Sequence, residues 1–199
     1  LTFDFTNNFK VSNNQQALDI CEALSYLFCK DGISKINMKI DGKAVSSFEN
    51  TTIPLSCITP NLGINNFETS TFDLYQTSSV LVYNEKEIAG KTYYIPTTTR
   101  IQNTNQTIDQ KVSLLLDHFE NNTKVETTKK SQLNDGLLSI YLSSRILDNS
   151  ENISPTLYSR LEKSFLSLPD VSSVHIYINN ELIQEDQSVS TSIDNIVQI

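Results

Sequence analysis

The chain of 199 residues has only two histidines and three cysteines, and this scarcity removes most metal and nucleophile chemistry. Cys21, Cys29 and Cys57 form no C-x-x-C or zinc spacing, and an odd number of thiols cannot all pair within one chain. Cys21 and Cys29 fall on an apolar helical stripe, where a buried thiol is an ordinary occupant. His118 neighbours Asp117, but successive helical residues point about 100° apart, so the two do not orient one another. His175 alternates with Val174 and Ile176, which puts it on the opposite, solvated face of a strand. Also missing are a G-x-S-x-G elbow, an H-E-x-x-H pair, a Walker loop and a G-x-G-x-x-G turn. The carboxylates Glu85 and Glu87, and Glu185 and Asp186, lie near loops, where solvation accounts for them; a hydrolase would need two acids facing each other from separate elements. No catalytic residue, cofactor or metal site is expected, and the chain reads as a non-enzymatic module.

Clustered basic charge is absent as well. The formal net charge is −8, with 5 basic and 8 acidic side chains in residues 1–73 and 10 and 15 in residues 74–199. Lys129 and Lys130 form the single adjacent basic pair, in a polar stretch, so nucleic acid is not an expected partner. No apolar run approaches the roughly 18 to 20 residues that span a bilayer, and no leader-like segment opens the chain. Residue 1 already lies within a strand-like segment, so a longer protein with its targeting segment upstream is expected. What is present suffices for a core: 38% of residues are hydrophobic and 19% charged, unlike a disordered tail. Asparagine occurs 20 times, and the acceptor-like triplets at Asn50, Asn105, Asn121 and Asn152 are what such a composition produces by chance.

An internal repeat organises the chain. Leu1-Thr2-Phe3-Asp4-Phe5-Thr6 matches Leu138-Ser139-Ile140-Tyr141-Leu142-Ser143, each alternating as a half-buried strand does. A helix follows in each copy, with Ala17, Cys21, Leu24 and Phe28 on one face in the first and Leu157, Leu161, Phe165 and Leu168 in the second. Ser154 before Pro155 is a start signal for the second helix. Next comes an alternating strand, residues 33–40 in one copy and 171–178 in the other, ended by Asp41-Gly42 or Asn179-Asn180, residue types that tolerate positive φ. The copies are offset by 137 to 138 residues.

Further elements precede the second copy. Ser79 to Tyr83 and Tyr93 to Thr99 read as a strand pair joined through Glu85 to Lys91. Ile108, Val112, Leu115, Leu116 and Phe119 mark an amphipathic helix, and residues 120–136 read as a polar loop. The expected fold class is α+β: small mixed sheets packed on amphipathic helices, with a duplicated domain. Residues 74–185 form the complete copy, 1–46 a partial one, 47–73 a linker with Pro54, Pro60 and Gly63, and 186–199 a tail.

These residues resemble the GerM family of sporulation and germination proteins, whose small α+β domain occurs in tandem. Val80-Leu81-Val82-Tyr83 and Tyr93-Tyr94-Ile95-Pro96-Thr97-Thr98-Thr99-Arg100 look like the opening of that domain, Ile36-Asn37-Met38-Lys39-Ile40-Asp41-Gly42-Lys43 like its close, and Leu62-Gly63-Ile64-Asn65 like the connection between copies. Thr97-Thr98-Thr99 extends the opening motif, and Asn179-Asn180-Glu181 replaces Asp-Gly-Lys, which predicts a looser second turn. The resemblance implies a fold related to the ring-building modules of sporulation channels. It further implies an extracytoplasmic, cell-envelope location with an upstream lipid or membrane anchor, and a role in protein assembly.

Three residues stand out as interaction candidates. Arg100, closing a strand, either forks onto a carboxylate or holds the following loop as a structural salt bridge. Of Tyr93 and Tyr94, neighbours on opposite faces of a strand, one ring either anchors an interface or makes a cross-strand contact. The expected partners are proteins or copies of the same fold, docking through strand edges and helix faces. The alternatives are a small-ligand or cell-wall-glycan binding module and, further off, a hydrolase.

Overall fold

The computed structural model describes residues 1–30, 32–66, 74, 76–103, 106–119 and 125–183. Two compact units divide the chain, Leu1–Ser79 with Thr97–Arg100, and Val80–Pro96 with Ile101–Ile199.

In the first unit, β1 (Thr2–Phe5) runs parallel to β2 (Asn37–Ile40), and β2 turns back antiparallel into β3 (Lys43–Ala44). Helix α1 (Asn14–Phe28) makes the crossover that a parallel pair requires. It starts at Asn13, whose side chain accepts from the backbone N–H of Gln16 at 2.9 Å, satisfying one of the helix's free donors. Its buried face comprises Ala17, Leu18, Cys21, Glu22 and Ser25. The expected stripe is thus rotated: Leu24 is only partly buried, and Phe28 is 38% exposed with its ring edge against Phe3. Two polar residues occupy the inner face because partners meet them there; the Ser25 hydroxyl donates to the Thr59 carbonyl at 2.6 Å.

Strand β2 is shorter than the alternation of residues 33–40 suggests. The Ile36 N–H donates to the Ile58 carbonyl instead of joining a ladder. The stretch expected as a linker also proves to be core up to residue 62: Phe48, Leu55, Cys57, Ile58 and Leu62 are buried with Ala17 and Met38. Its 3-10 turns, Leu55–Cys57 and Pro60–Leu62, carry neither the helical nor the strand period, so no pattern announces them.

The hairpin β4 (Thr77–Ile88) and β5 (Lys91–Gln102) turns at Ala89-Gly90, with φ of 52° and 75°. Its strands are longer than expected, with two residues between them instead of the stretch from Glu85 to Lys91. The outer half is exposed on both faces and therefore lacks the apolar alternation by which a strand is recognised. In the second unit, α2 (Ile108–Leu116) begins with a reciprocal capping box between Thr107 and Gln110. It buries Val112, Leu115 and Leu116, and the following 3-10 turn buries Phe119.

A strand appears where a polar loop is expected: β6 (Gln132–Asn134) pairs antiparallel with β7 (Leu137–Leu142) through Asp135-Gly136. Then come α3 (Pro155–Leu166), β8 (Ser173–Ile178) and β9 (Glu181–Ile183). Pro155 opens α3 as expected, but the Ser154 hydroxyl lies 2.9 Å from that of Thr156 and caps no backbone donor. The sheet order is β6-β7-β8-β9. Its inner face packs Leu138, Ile140, Leu142, Val174, Ile176 and Ile178 into the core that holds Leu161 and Phe165 of α3. The tail expected at 186–199, with Glu185 and Asp186, lies outside the described residues.

The repeat holds down to register. Phe5 pairs with Ile40 in one copy and Leu142 with Ile178 in the other, both in parallel ladders. The turns match too: Ile40 pairs with Lys43, and Ile178 with Glu181. Asn179 and Asn180 adopt φ of 52° and 67°, close to the 47° and 77° of Asp41 and Gly42, so the second turn is no looser than the first.

Phe119 is 4% exposed, and the Arg160 guanidinium sits 5.2 Å from its ring centroid. Phe119→Ala should therefore cost about 3 to 5 kcal/mol, read as a fall in the urea midpoint. An unchanged midpoint would mean that this ring does not support the core.

Candidate functional site

The residues singled out from the sequence are engaged inside their own units. Both terminal nitrogens of Arg100 donate to the Asn61 carbonyl, at 3.1 and 2.8 Å, and its Nε donates to the Thr77 hydroxyl at 2.9 Å. Asn61 in turn donates to the carbonyls of Leu74 and Thr77 and accepts from the Ser79 N–H. The guanidinium fork thus lands on a backbone carbonyl and fastens the 3-10 turn at Pro60–Leu62. Thr98, in the extended threonine run, meets Ile64 with its hydroxyl as donor at 2.6 Å and as acceptor at 2.7 Å. Tyr94 lies under the Lys163 ammonium, 5.7 Å from its ring centroid, while Tyr93 is half-buried on the other face of β5.

Two buried polar features escaped the sequence. Glu22, 5% exposed, accepts from the N–H of Asn65 at 2.8 Å and from the Asn66 side chain at 2.8 Å. Burial pushes its carboxyl above the ordinary range, against the pull of those donors. Cys21 shares the first core with Cys57, and the hydrogen bond between the thiols, together with burial, raises the Cys21 thiol well above its usual value. No helical or strand spacing joins either group to its partners.

Among the described residues no cluster of three His, Cys, Asp or Glu side chains is placed to hold a metal ion. Glu85 and Glu87 stand exposed on the hairpin, and His118 on the turn after α2. The first unit has a recess of about 380 Å³ lined by Phe9, Val11, Ile40, Val45 and Phe48, with the Lys10–Glu49 ion pair (3.0 Å) among its lining residues.

The outer face of the second unit's sheet is the most distinctive surface. Tyr141 pairs with Tyr177, and Tyr177 with Leu182, so the three form one row across β7, β8 and β9, pointing away from the core. The tyrosine rings stack with centroids 5.0 Å apart and planes 20° from parallel, close to the spacing of neighbouring strands. The Lys129 ammonium lies over the Tyr141 ring, 5.4 Å from its centroid, and hydrogen-bonds the Asn180 side chain. His175 meets Tyr177 edge-on, and Leu182 is 39% exposed. In the first copy, the row in the same register is Asp4, Lys39 and Ala44. One frame thus carries a charged pair in one copy and an aromatic stack in the other.

No family model matches the chain. Over 201 residues it is 25% identical to the spore germination protein GerM of Bacillus subtilis (strain 168), an alignment covering 92% of this chain and 54% of that protein. The chain thus spans about half the length of the curated relative it matches. Among solved structures, the tandem GerMN domains of the sporulation protein GerM from Bacillus subtilis match with a TM-score of 0.72 at 22% identity, over 90% of this chain and 67% of that one. The α+β fold of small sheets and helices is the one those tandem domains share.

Two substitutions test the packing of the first unit. Gly63 has φ of 77°, and a Cβ there would collide with the Thr98 hydroxyl, whereas at Gly90, with φ of 75°, the space is open. Gly63→Ala should cost about 1 kcal/mol or more and exceed Gly90→Ala; equal shifts in urea midpoint would contradict this. At Glu22, the raised carboxyl means that the folded state keeps a proton which the unfolded chain has released, so its contribution to stability falls as pH rises through that window. Stability of Glu22→Gln relative to the natural chain should therefore climb as pH rises above the ordinary carboxyl range, and a flat or falling difference would refute the assignment.

Proposed function

We propose that this member of the GerM family is a non-enzymatic protein-interaction module that assembles with partners in a sporulation or germination complex, outside the cytoplasm at the cell envelope. The observation that carries the reading is the outward row of Tyr141, Tyr177 and Leu182 set against Asp4, Lys39 and Ala44 in the same register of the first copy. The first copy keeps the same pairing with a charged pair in the row, so the frame does not require the aromatic stack. Tyrosines gathered on a surface are a recurrent means of anchoring protein contacts. The relative's name, a spore germination protein, supports the setting.

A second reading, a small-ligand or glycan module, draws on the 380 Å³ recess of the first unit, a size that suits small molecules. Its apolar lining includes Phe9 and Phe48, whose ring centroids lie 5.6 Å apart.

A photo-crosslinking residue in place of Tyr177, introduced into the full-length protein in sporulating cells, separates the two readings. Docking through the sheet face predicts discrete protein adducts from position 177 and none from Gly90 at the hairpin tip. No adduct at 177, together with a micromolar ligand bound in the recess, would transfer the function to the second reading.

A further inference from the structure

The chemistry of the same face selects its partner, an inference that rests on the docking role assigned above. Stacked tyrosines direct their faces at one another and their edges outward. An aromatic edge carries the positive part of the ring quadrupole, so the outward side of this stack favours an anion. Lys129 adds a full positive charge beside Tyr141, Lys130 is exposed next to it, and His175 borders Tyr177. No outward position of β6 to β9 is acidic, although the chain as a whole carries a net charge of −8. Leu182 at the end of the row supplies an apolar contact.

Other occupants fit less well. A sugar ring binds an aromatic platform through an open ring face, and here Tyr141 stacks on Tyr177 and lies under Lys129. A second copy laid face to face about a two-fold axis would set two faces of the same sign against each other. A nucleic acid would find too few cations to neutralise its phosphates.

We propose that the Tyr141–Tyr177–Leu182 row receives an acidic segment of a partner protein, an extended stretch in which carboxylates and apolar side chains take turns at every second position. The carboxylates meet Lys129, Lys130 and the tyrosine hydroxyls, and the apolar side chains cover Leu182 and the ring edges. In an extended chain successive side chains point to opposite sides, so only every second residue faces the row, and both kinds of side chain must fall within that set.

The probes are three synthetic dodecapeptides repeating Glu-Ser-Leu-Ser, Gln-Ser-Leu-Ser or Lys-Ser-Leu-Ser, called Glu-Leu, Gln-Leu and Lys-Leu after the residues that share one side, titrated against the full chain by fluorescence polarisation at low and high salt. The Glu-Leu peptide should bind best and weaken as salt rises. Grafting the first copy's row into the second (Tyr141→Asp, Tyr177→Lys, Leu182→Ala) should weaken it about tenfold or more, as should Lys129→Glu alone. The graft uses a row that the same frame already accommodates, and Lys129 is exposed, so an unchanged urea midpoint serves as the folding check for both variants.

Equal binding of the Lys-Leu peptide, or no binding of the Glu-Leu peptide, would overturn the proposal. Protein adducts from position 177 without Glu-Leu binding would leave the docking role standing and remove the acidic partner. Failure of both would remove the docking role as well. Binding of a chitin oligosaccharide that the graft abolishes would assign the face to glycan instead.

Discussion

Two parallel strands cannot be joined by a tight turn, and much of this protein's architecture follows from that constraint. Each copy meets it with one helix, α1 between β1 and β2, and α3 between β7 and β8. The helix needs an apolar surface to cover and finds it on one face of the small sheet. Leu138, Ile140, Val174 and Ile176 are consequently buried with Leu161 and Phe165 in a single core. The opposite face of the same strands bears no such obligation, so its side chains are open to a different use.

The two copies complete their cores by different means. The first recruits the irregular stretch that follows β3, where Phe48, Leu55, Ile58 and Leu62 take the place of regular elements. Fixing such a stretch needs specific polar contacts, because 3-10 turns have few internal hydrogen bonds. Arg100 on Asn61, Thr98 on Ile64 and Glu22 on Asn65 and Asn66 provide them. The second copy instead adds regular elements: Val80, Val82 and Ile101 from the hairpin, and Val112, Leu115 and Leu116 from α2. Substitution therefore acts through different chemistry in the two, polar fastening in one and apolar packing in the other.

A duplicated frame also gives an internal control on function. Where the copies agree, as in the paired registers and the turns at Asp41-Gly42 and Asn179-Asn180, the shared feature serves the fold. Where they differ at an outward, register-matched row, folding has not dictated the choice, since the same frame accepts both sets of side chains. A stack of tyrosines at such a place needs another explanation, and binding a partner supplies one.

Much of the fold is legible in the sequence because it rests on period. Alternation marks β1, β7 and β8, helical spacing marks α1, α2 and α3, and Asp-Gly or Asn-Asn marks the turns. The registers reproduce the two sequence offsets of the repeat, since burying one face forbids a slip of a single residue. Elements without period are silent: β6 is too short to alternate visibly, the outer hairpin is wet on both faces, and the core stretch from Phe48 to Leu62 follows neither spacing. The candidate site is silent for a related reason. Tyr141 and Tyr177 are 36 residues apart and read singly as the polar phase of two strands; only the parallel ladder sets them side by side. Sequence by itself determined which face of each strand looks inward, because transfer of apolar side chains from water depends on residue type and spacing alone. Which outward side chains become neighbours, and so whether they form a surface with its own chemistry, was decided by the tertiary pairing, because contact between distant residues is a property of the folded chain.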